Sequence, residues 1–418
     1  MNKQDYSVMK KYFFVLVLLI AACGGYTDRP VKIGAELMIE EHLELLQGKR
    51  IGLVTNHTGI LPDERHIVDV LHEHEAFELT ALYAPEHGIR GDATRAFDHS
   101  EDPATGLHVY SLYGDTRKPS PDMLEDIDVL IFDIQDVGAR FYTYISTMNN
   151  AMEAAAENGK EFIVLDRPNP ITGVYVDGPI LDPDFRSFIG IQPIPVAHGM
   201  TVGELATMFN EEGWLENGVK AELTVIRMEN YPRSIWFDQT ELPWVKPSPN
   251  MLRLSTAIVY PATCFFEGTN VSDGRGTDHP FEWFGAPWIN GEELAQALNA
   301  YELPGVVFEP ITYTPGDMVN GVRISPKFMG EICYGVGMNI TDRDAFRPVS
   351  TGVYILSTIY RMYGDEMVWR ENWMDLLWGT DRIRTAIQQD IGPAEIVVKW
   401  QEELEEFLLT REKYLIYE

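Results

Sequence analysis

Cysteine is nearly absent from this sequence: three in 418 residues, at positions 23, 264 and 333. A disulfide-stapled scaffold is therefore excluded, and stability has to come from buried apolar surface. Cys264 and Cys333 read as separately buried thiols, with neither assigned to catalysis or to a metal. Basic residues are also scarce, 33 Lys and Arg against 64 Asp and Glu, for a formal net charge of −31. Such a surface repels phosphate backbones, so nucleic acid is not an expected partner, and an anionic ligand must be met by a local cluster of arginines. Long apolar runs are missing as well. Residues 12–20 are too few to cross a ~30 Å hydrocarbon core comfortably, and no later segment is apolar enough to do so.

Several catalytic signatures are absent. The first predicted strand runs into Thr55-Asn56-His57-Thr58-Gly59 in place of the phosphate-cradling G-x-G-x-x-G, and no Walker loop, H-E-x-x-H or G-x-S-x-G occurs elsewhere. Dinucleotide chemistry, nucleotide hydrolysis, zinc proteolysis and serine-esterase chemistry lose their support, and no cofactor or metal is expected. His72 and His74 lie in a Glu-rich helical stretch and read as solvated surface residues.

What is present begins at the N-terminus, where Lys10 and Lys11 precede the apolar residues 12–20 and then Ala21, Ala22 and Cys23. This is the pattern of an export signal. Ile20-Ala21-Ala22-Cys23 looks like a bacterial lipobox, which makes Cys23 the lipidated first residue of the mature chain and residues 1–22 its signal peptide. An ordinary cleaved signal with an incidental cysteine is the alternative. Residues 23–34 then form a tether, and the body faces the cell envelope outside the cytoplasm, held to the membrane by lipid.

The remaining length exceeds what one core usually serves, so two domains are expected. Strands are predicted at 50–55, 78–84, 128–133 and 161–166, and helices at 63–74 and 146–158. That alternation implies right-handed βαβ crossovers and a parallel sheet covered on both faces. The expected fold is α/β, a Rossmann-like parallel-sheet domain over 35–215 with a smaller α+β domain over 216–418 completing the cleft. Helical spacing recurs at 373–389 and 393–414, where Trp400, Phe407 and Leu408 fit an apolar, core-facing stripe.

In open parallel sheets the loops at the strands' carboxyl ends converge on a crevice. Four such loops carry polar residues here: Asn56-His57-Thr58-Gly59, then 85–92, then 135–140, then Arg167-Pro168-Asn169-Pro170. They hold carboxylates, amides and arginines, the chemistry expected for a sugar. Glycoside cleavage needs an acid to protonate the departing oxygen and usually a second carboxyl group. Glu86 is the first choice for the acid, because Tyr83-Ala84-Pro85 gives it an apolar approach that could raise its pKa, with His87 and Asp92 close by. A loop-capping role, or a pair with Arg90, is the alternative. Residues 243–285 form a second polar, glycine-punctuated segment that reads as a binding region or, alternatively, as a structural turn; it contributes Asn250, Glu267, Asn270 and Arg275.

The motifs Gly52-Leu-Val-Thr-Asn-His-Thr-Gly59, Ala84-Pro-Glu-His-Gly-Ile-Arg-Gly-Asp92, Phe132-Asp-Ile-Gln-Asp-Val-Gly-Ala-Arg-Phe-Tyr-Thr-Tyr144, Leu165-Asp-Arg-Pro-Asn-Pro170, Pro247-Ser-Pro-Asn-Met251 and Phe266-Glu-Gly-Thr-Asn-Val-Ser-Asp-Gly-Arg-Gly-Thr277 resemble the exo-β-N-acetylmuramidase family called NamZ, the YbbC-like proteins. The resemblance continues to Gly379-Thr-Asp381 and covers nearly the whole mature chain. It implies an exo-acting glycosidase that releases terminal N-acetylmuramic acid from the non-reducing end of peptidoglycan glycan fragments, with a Rossmann-like domain joined to a C-terminal domain. The family's catalytic glutamate, in its A-P-E-H-G motif, corresponds to Glu86. The second carboxylate is assigned to Glu267, with Asp92 in reserve. The distinctive group of the sugar is its lactyl carboxylate, for which an arginine fork is the natural partner. Arg140 leads, followed by Arg90 and Arg275, although Arg140 could equally hold Asp133 or Asp136 in a structural pair. Asn56, Asn169, Asn250 and Asn270, with His57 and His87, are the remaining candidates for contact with the sugar. A non-catalytic lipoprotein that binds murein fragments, or a lyase acting on the lactyl ether, would suit the same cleft.

The lipobox reading has a direct test: metabolic labelling with a fatty-acid analogue should mark the wild-type chain and not Cys23→Ala, and an unlabelled, fully soluble wild-type protein in the native host would defeat it.

Overall fold

Continuous apolar stretches form the middle of the main sheet. In the computed structural model, which describes residues 29–91, 100–319 and 321–418, the strands are β1 (Arg50–Thr55), β2 (Glu78–Ala84), β3 (Ser100–Glu101), β4 (His108–Ser111), β5 (Val129–Asp133), β6 (Glu161–Leu165) and β7 (Leu223–Ile226). Among the described residues the sheet order is β3-β4-β2-β1-β5-β6-β7, parallel throughout except for the β3/β4 pair. β5 is buried along its whole length and alternates between two cores. Val129 and Ile131 face one side with Ile163 and Leu165 of β6. Leu130 and Phe132 face the other with Phe162 and Val164. A period of two inside an uninterrupted apolar run is what a sheet covered on both faces requires.

Helices α1 (Gly34–Glu41) and α2 (Ile67–His72) cover the first face. Helices α3 (Tyr144–Glu157) and α4 (Val202–Glu211) cover the second. The predicted helix 63–74 begins four residues late, because residues 61–65 close a turn from the Leu61 amide to the Arg65 carbonyl at 2.9 Å. His66 then caps α2 by accepting from the Val68 amide at 3.2 Å.

The sheet also extends beyond the expected limit at residue 215. β7 pairs with β6 in parallel, from Phe162 opposite Leu223 to Leu165 opposite Ile226. Four residues at a sheet edge, of which only Ile226 is buried, leave little periodic signal. β3 and β4 are similarly short and were not anticipated.

The C-terminal part has its own antiparallel sheet, β8 (Trp283–Ala286), β12 (Cys333–Ile340) and β9 (Val306–Tyr313), with a small hairpin of β10 (Met318–Val319) and β11 (Val322–Arg323). Around it pack α5 (Leu254–Thr263), α6 (Gly291–Asn299), α7 (Pro348–Tyr363), α8 (Glu371–Trp378), α9 (Arg382–Gln388), α10 (Pro393–Val398) and α11 (Gln401–Arg411). Its core also takes in Val137, Ala139, Phe141, Ile171, Val196 and Ala197 from loops of the first part. The two parts therefore share packing, and Val31–Glu418 is one compact unit. Cys264 and Cys333 are both buried and both free.

The stretch 373–389 is two helices. Gly379 ends α8 in the left-handed region at φ 70°, the usual termination for a residue without a Cβ. The stretch 393–414 is also divided, at Trp400, which is 1% exposed and donates its indole N–H to Asp177 at 3.0 Å. Phe407 is in the core as expected, whereas Leu408 points outward, 37% exposed. Gly379 is a sharp point in this packing, since a Cβ there would lie 2.7 Å from Nη2 of the buried Arg140 and 2.8 Å from Leu181. Gly379→Ala should therefore destabilise the fold by roughly 2 kcal/mol or more, from left-handed strain plus overpacking; an unchanged midpoint in urea would contradict this packing.

Candidate active site

The register of two neighbouring strands builds one wall of a cavity of about 230 Å³. β2 and β4 run parallel with Ala84 opposite Ser111. Two residues beyond each strand stand Glu86 and Tyr113, so the same register brings them side by side, and the Tyr113 hydroxyl bonds the Glu86 carboxyl. The chain turns directly after Glu86: the Gly88 amide donates to the Pro85 carbonyl at 3.3 Å, and His87 takes φ 78°. A non-glycine residue in that region is strained, which is common where a turn must aim a functional side chain.

From the loop between β5 and α3, and from the first residue of α3, come Phe141, Tyr142, Thr143 and Tyr144. Tyr144 is anchored by donating to the Pro247 carbonyl at 2.5 Å. This in turn holds the segment that supplies Ser248, Asn250 and Met251 to the cavity. The opposite wall is Tyr260 on α5, Glu267 on the tight turn after it, Arg275 and Phe281, with Trp373 of α8 at one side. Arg275 sits between Gly274 and Gly276, at φ 74° and 84°. A Cβ on Gly276 would lie 2.5 Å from the Gly316 carbonyl oxygen, so only glycine lets the loop pass there.

The Glu86 carboxyl is half-buried. Burial pushes its pKa above the ordinary glutamate range; the Tyr113 hydrogen bond works against this, the Glu267 charge adds to it, and Arg275 opposes it last and least. Glu267 accepts from Arg275 Nη2, and Arg275 also lies 3.4 Å from Asp273 Oδ2 and 4.9 Å over the Phe281 ring. Among the described residues, Asn250 Oδ1, Arg275 Nε and Trp373 Nε1 of the lining are buried without a hydrogen-bond partner. Buried polar groups are normally satisfied, so unpaired atoms on residues that line one cavity are consistent with a place for a polar ligand. Among the described residues no cluster of three His, Cys, Asp or Glu side chains is arranged to hold a metal ion.

Of the residues singled out in the sequence, Glu86, His87, Asn250, Glu267 and Arg275 share this cavity. Asp92 and Cys23 lie outside the described residues. The others serve elsewhere, and the expectation of one rim shared by four strand ends is overturned. Asn56 is fully buried, its Oδ1 accepting from the Thr58 amide and hydroxyl. Asn169 bonds the Met200 carbonyl and the Ile171 amide. Arg167 bridges Asp133, at 2.6 and 2.9 Å, to the Ile60 carbonyl, tying the loops that follow β1 and β6 to the end of β5. His57 bonds the Lys246 carbonyl at 2.7 Å, away from the lining. Arg90 is taken up by Asp69 and Asp102 and not by Glu86. Asn270 ties its loop to the backbone of Glu366 and Val368.

Arg140, the leading candidate for the lactyl carboxylate, is 0% exposed and donates to the carbonyls of Pro179, Ile194 and Leu377. Its role is structural, but through backbone oxygens and not through Asp133 or Asp136. The tyrosines and Trp373 were not singled out. Tyr113 follows the four-residue β4, too short an element for its sequence to place Tyr113 beside Glu86.

Two family models match consecutive parts of the chain: "Exo-beta-N-acetylmuramidase NamZ, N-terminal" residues 51–255 and "Exo-beta-N-acetylmuramidase NamZ, C-terminal" residues 258–417. The chain is 46% identical over 390 residues to the peptidoglycan beta-N-acetylmuramidase NamZ of Bacillus subtilis (strain 168), covering 93% of this chain and 91% of that protein. Crystal structures of two DUF1343 family proteins from Bacteroides fragilis are also similar. One matches at TM-score 0.86 and 38% identity, the other at TM-score 0.78 and 36% identity, each over 93% of this chain and 99% of the other. With both family models matched in order across the sheet domain and the C-terminal part that together enclose Glu86, this chain belongs to the exo-β-N-acetylmuramidase NamZ family.

Proposed function

We propose that this chain is an exo-acting glycosidase that hydrolyses the bond joining a terminal N-acetylmuramic acid to the next sugar of peptidoglycan-derived glycan, in cell-wall turnover and recycling, with Glu86 as the general acid. The observation that carries this reading is the half-buried, Tyr113-bonded Glu86 in a cavity whose lining leaves polar atoms unpaired. The cavity's ~230 Å³ is below the range of about 300–1,000 Å³ usual for ligand pockets, which suits one terminal unit better than a run of sugars. The leaving oxygen needs a proton as its bond to the anomeric carbon breaks, and a carboxyl group whose proton is retained near neutral pH supplies it. Glu267 faces the same cavity as negative charge toward which the oxocarbenium-like transition state develops. Cys23 carries the lipid that holds the enzyme in the cell envelope, where such glycan is met.

Glu86→Gln keeps the shape of the side chain and removes its proton. Turnover on a muramic-acid-terminated disaccharide should fall at least ~10²-fold with fragment binding nearly intact. The wild type should cut that disaccharide, leaving the lactyl group on the product, and spare its N-acetylglucosamine-terminated counterpart. Undiminished turnover by the variant would remove Glu86 from the role, and a product without its lactyl group would favour ether cleavage.

The pH profile offers a separate check with a worked sign. Because the Glu86 pKa is raised, its proton persists to higher pH than on an ordinary glutamate, and activity is lost as pH rises through that pKa. The Tyr113 hydrogen bond stabilises the ionised form, so Tyr113→Phe should move the alkaline limb of kcat/KM to higher pH. The Glu267 charge disfavours ionisation, so Glu267→Gln should move it to lower pH. Shifts of the same sign in both variants would mean that the limb reports another group.

A further inference from the structure

We propose that Arg275 reads the lactyl carboxylate of the terminal sugar, and that this carboxylate takes the place on the guanidinium that Glu267 holds in the free protein. The inference rests on the muramidase reading above and assigns the determinant of its specificity.

Among the described residues lining the cavity, Arg275 is the one lysine or arginine. Its fork is half used. Nη2 donates to a single oxygen of Glu267, while Nε, the other donor on that edge of the guanidinium, is buried and has no partner among the described residues. A carboxylate lying in the guanidinium plane would bond Nε and Nη2 together, the two-point geometry that Arg167 already makes with Asp133 elsewhere in this protein. Glu267, held at one point, is the weaker competitor.

The remaining edge of Arg275 stays fixed during such an exchange. Nη1 faces Asp273, which is 3% exposed, 3.4 Å away, and the Arg275 amide donates to Asp273 Oδ1 at 3.3 Å. Lys327 backs this arrangement, donating to the Phe266 and Val271 carbonyls at 2.6 and 2.8 Å and lying 3.7 Å from Asp273. The Phe281 ring under the guanidinium limits its tilt. The alternatives are closed: Arg90 has donors on both edges bound to Asp69 and Asp102, and Arg140 has no exposed surface. In a chain of net charge −31 a carboxylate ligand needs such a local receiver.

The exchange also has a chemical consequence. Glu267 released from Arg275 acts on Glu86 with its full charge, and Arg275 neutralised by substrate no longer opposes it. Both changes favour the protonated acid, so recognition of the lactyl group and readiness for proton transfer are coupled.

The test compares a chromogenic N-acetylmuramic acid glycoside with the same glycoside carrying a neutral lactyl carboxamide. Wild-type enzyme should prefer the free acid by at least ~10-fold in kcat/KM, the scale of a charge-assisted fork. Arg275→Lys, which keeps the charge and loses the fork, should lose most of that preference. Glu267→Gln should bind free N-acetylmuramic acid, measured as a competitive inhibitor, more tightly than wild type, because the competing anion is gone. Undiminished preference in Arg275→Lys, or weaker product binding in Glu267→Gln, would overturn the assignment. Equal cleavage of acid and carboxamide by the wild type would also overturn it, whereas failure to cleave either would count against the muramidase reading itself. Should Arg275→Lys not give the wild-type thermal transition, the wild-type ratio and the Glu267→Gln inhibition constant still decide.

Discussion

The arrangement depends first on a buried guanidinium. Arg140 follows β5, has no exposed surface and bonds backbone carbonyls from Pro179, Ile194 and the last turn of α8 at Leu377. Burial pushes its pKa down to about 9, which still leaves it charged at neutral pH. A cation without a neighbouring carboxylate is costly to bury, and here backbone dipoles compensate it, including one at the negative end of a helix. Those bonds fix where α8 stops, and Gly379 is left-handed beside the same guanidinium. The position of α8 sets that of Trp373. The loop that carries Arg140 continues into Tyr142 and Tyr144, so two walls of the cavity hang on one side chain.

Around that frame the cavity keeps its charges in local balance. Glu267 and Asp273 face Arg275 and Lys327, while Glu86 stands apart with a neutral phenol as its partner. Such separation pushes titratable groups toward different tasks: against its burial, Arg275 and Lys327 hold Asp273 below the ordinary aspartate range, while burial raises Glu86 above the ordinary glutamate range. The acidic surface and the cationic edge of the pocket are compatible because the field that matters to a bound sugar is set within a few ångströms.

The parallel sheet was legible because burial on both faces leaves long apolar runs: β1 and β2 stand where the periodicity placed them, and β5 and β6 differ by a residue at an end. β4 and β7 are four residues each, and β3 two, too short for a period to emerge. Glu86 was legible from its apolar approach and its motif. The place of Arg140 was not legible, because an arginine in a polar loop looks the same in sequence whether it ends among carbonyls, as Arg140 does, or at a cavity, as Arg275 does.

By itself, then, the sequence determined the α/β class and the family, since these follow from periodicity and long contiguous motifs. Tertiary structure alone decided which polar residues meet. Asn56 and Asn169 turned inward to satisfy backbone groups, Arg167 paired with Asp133, and residues as distant in sequence as Glu86, Asn250, Arg275 and Trp373 came to line one cavity. The physical reason is that every buried donor and acceptor must find a partner, and the chain settles which partners lie within its own fold and which are left to a ligand.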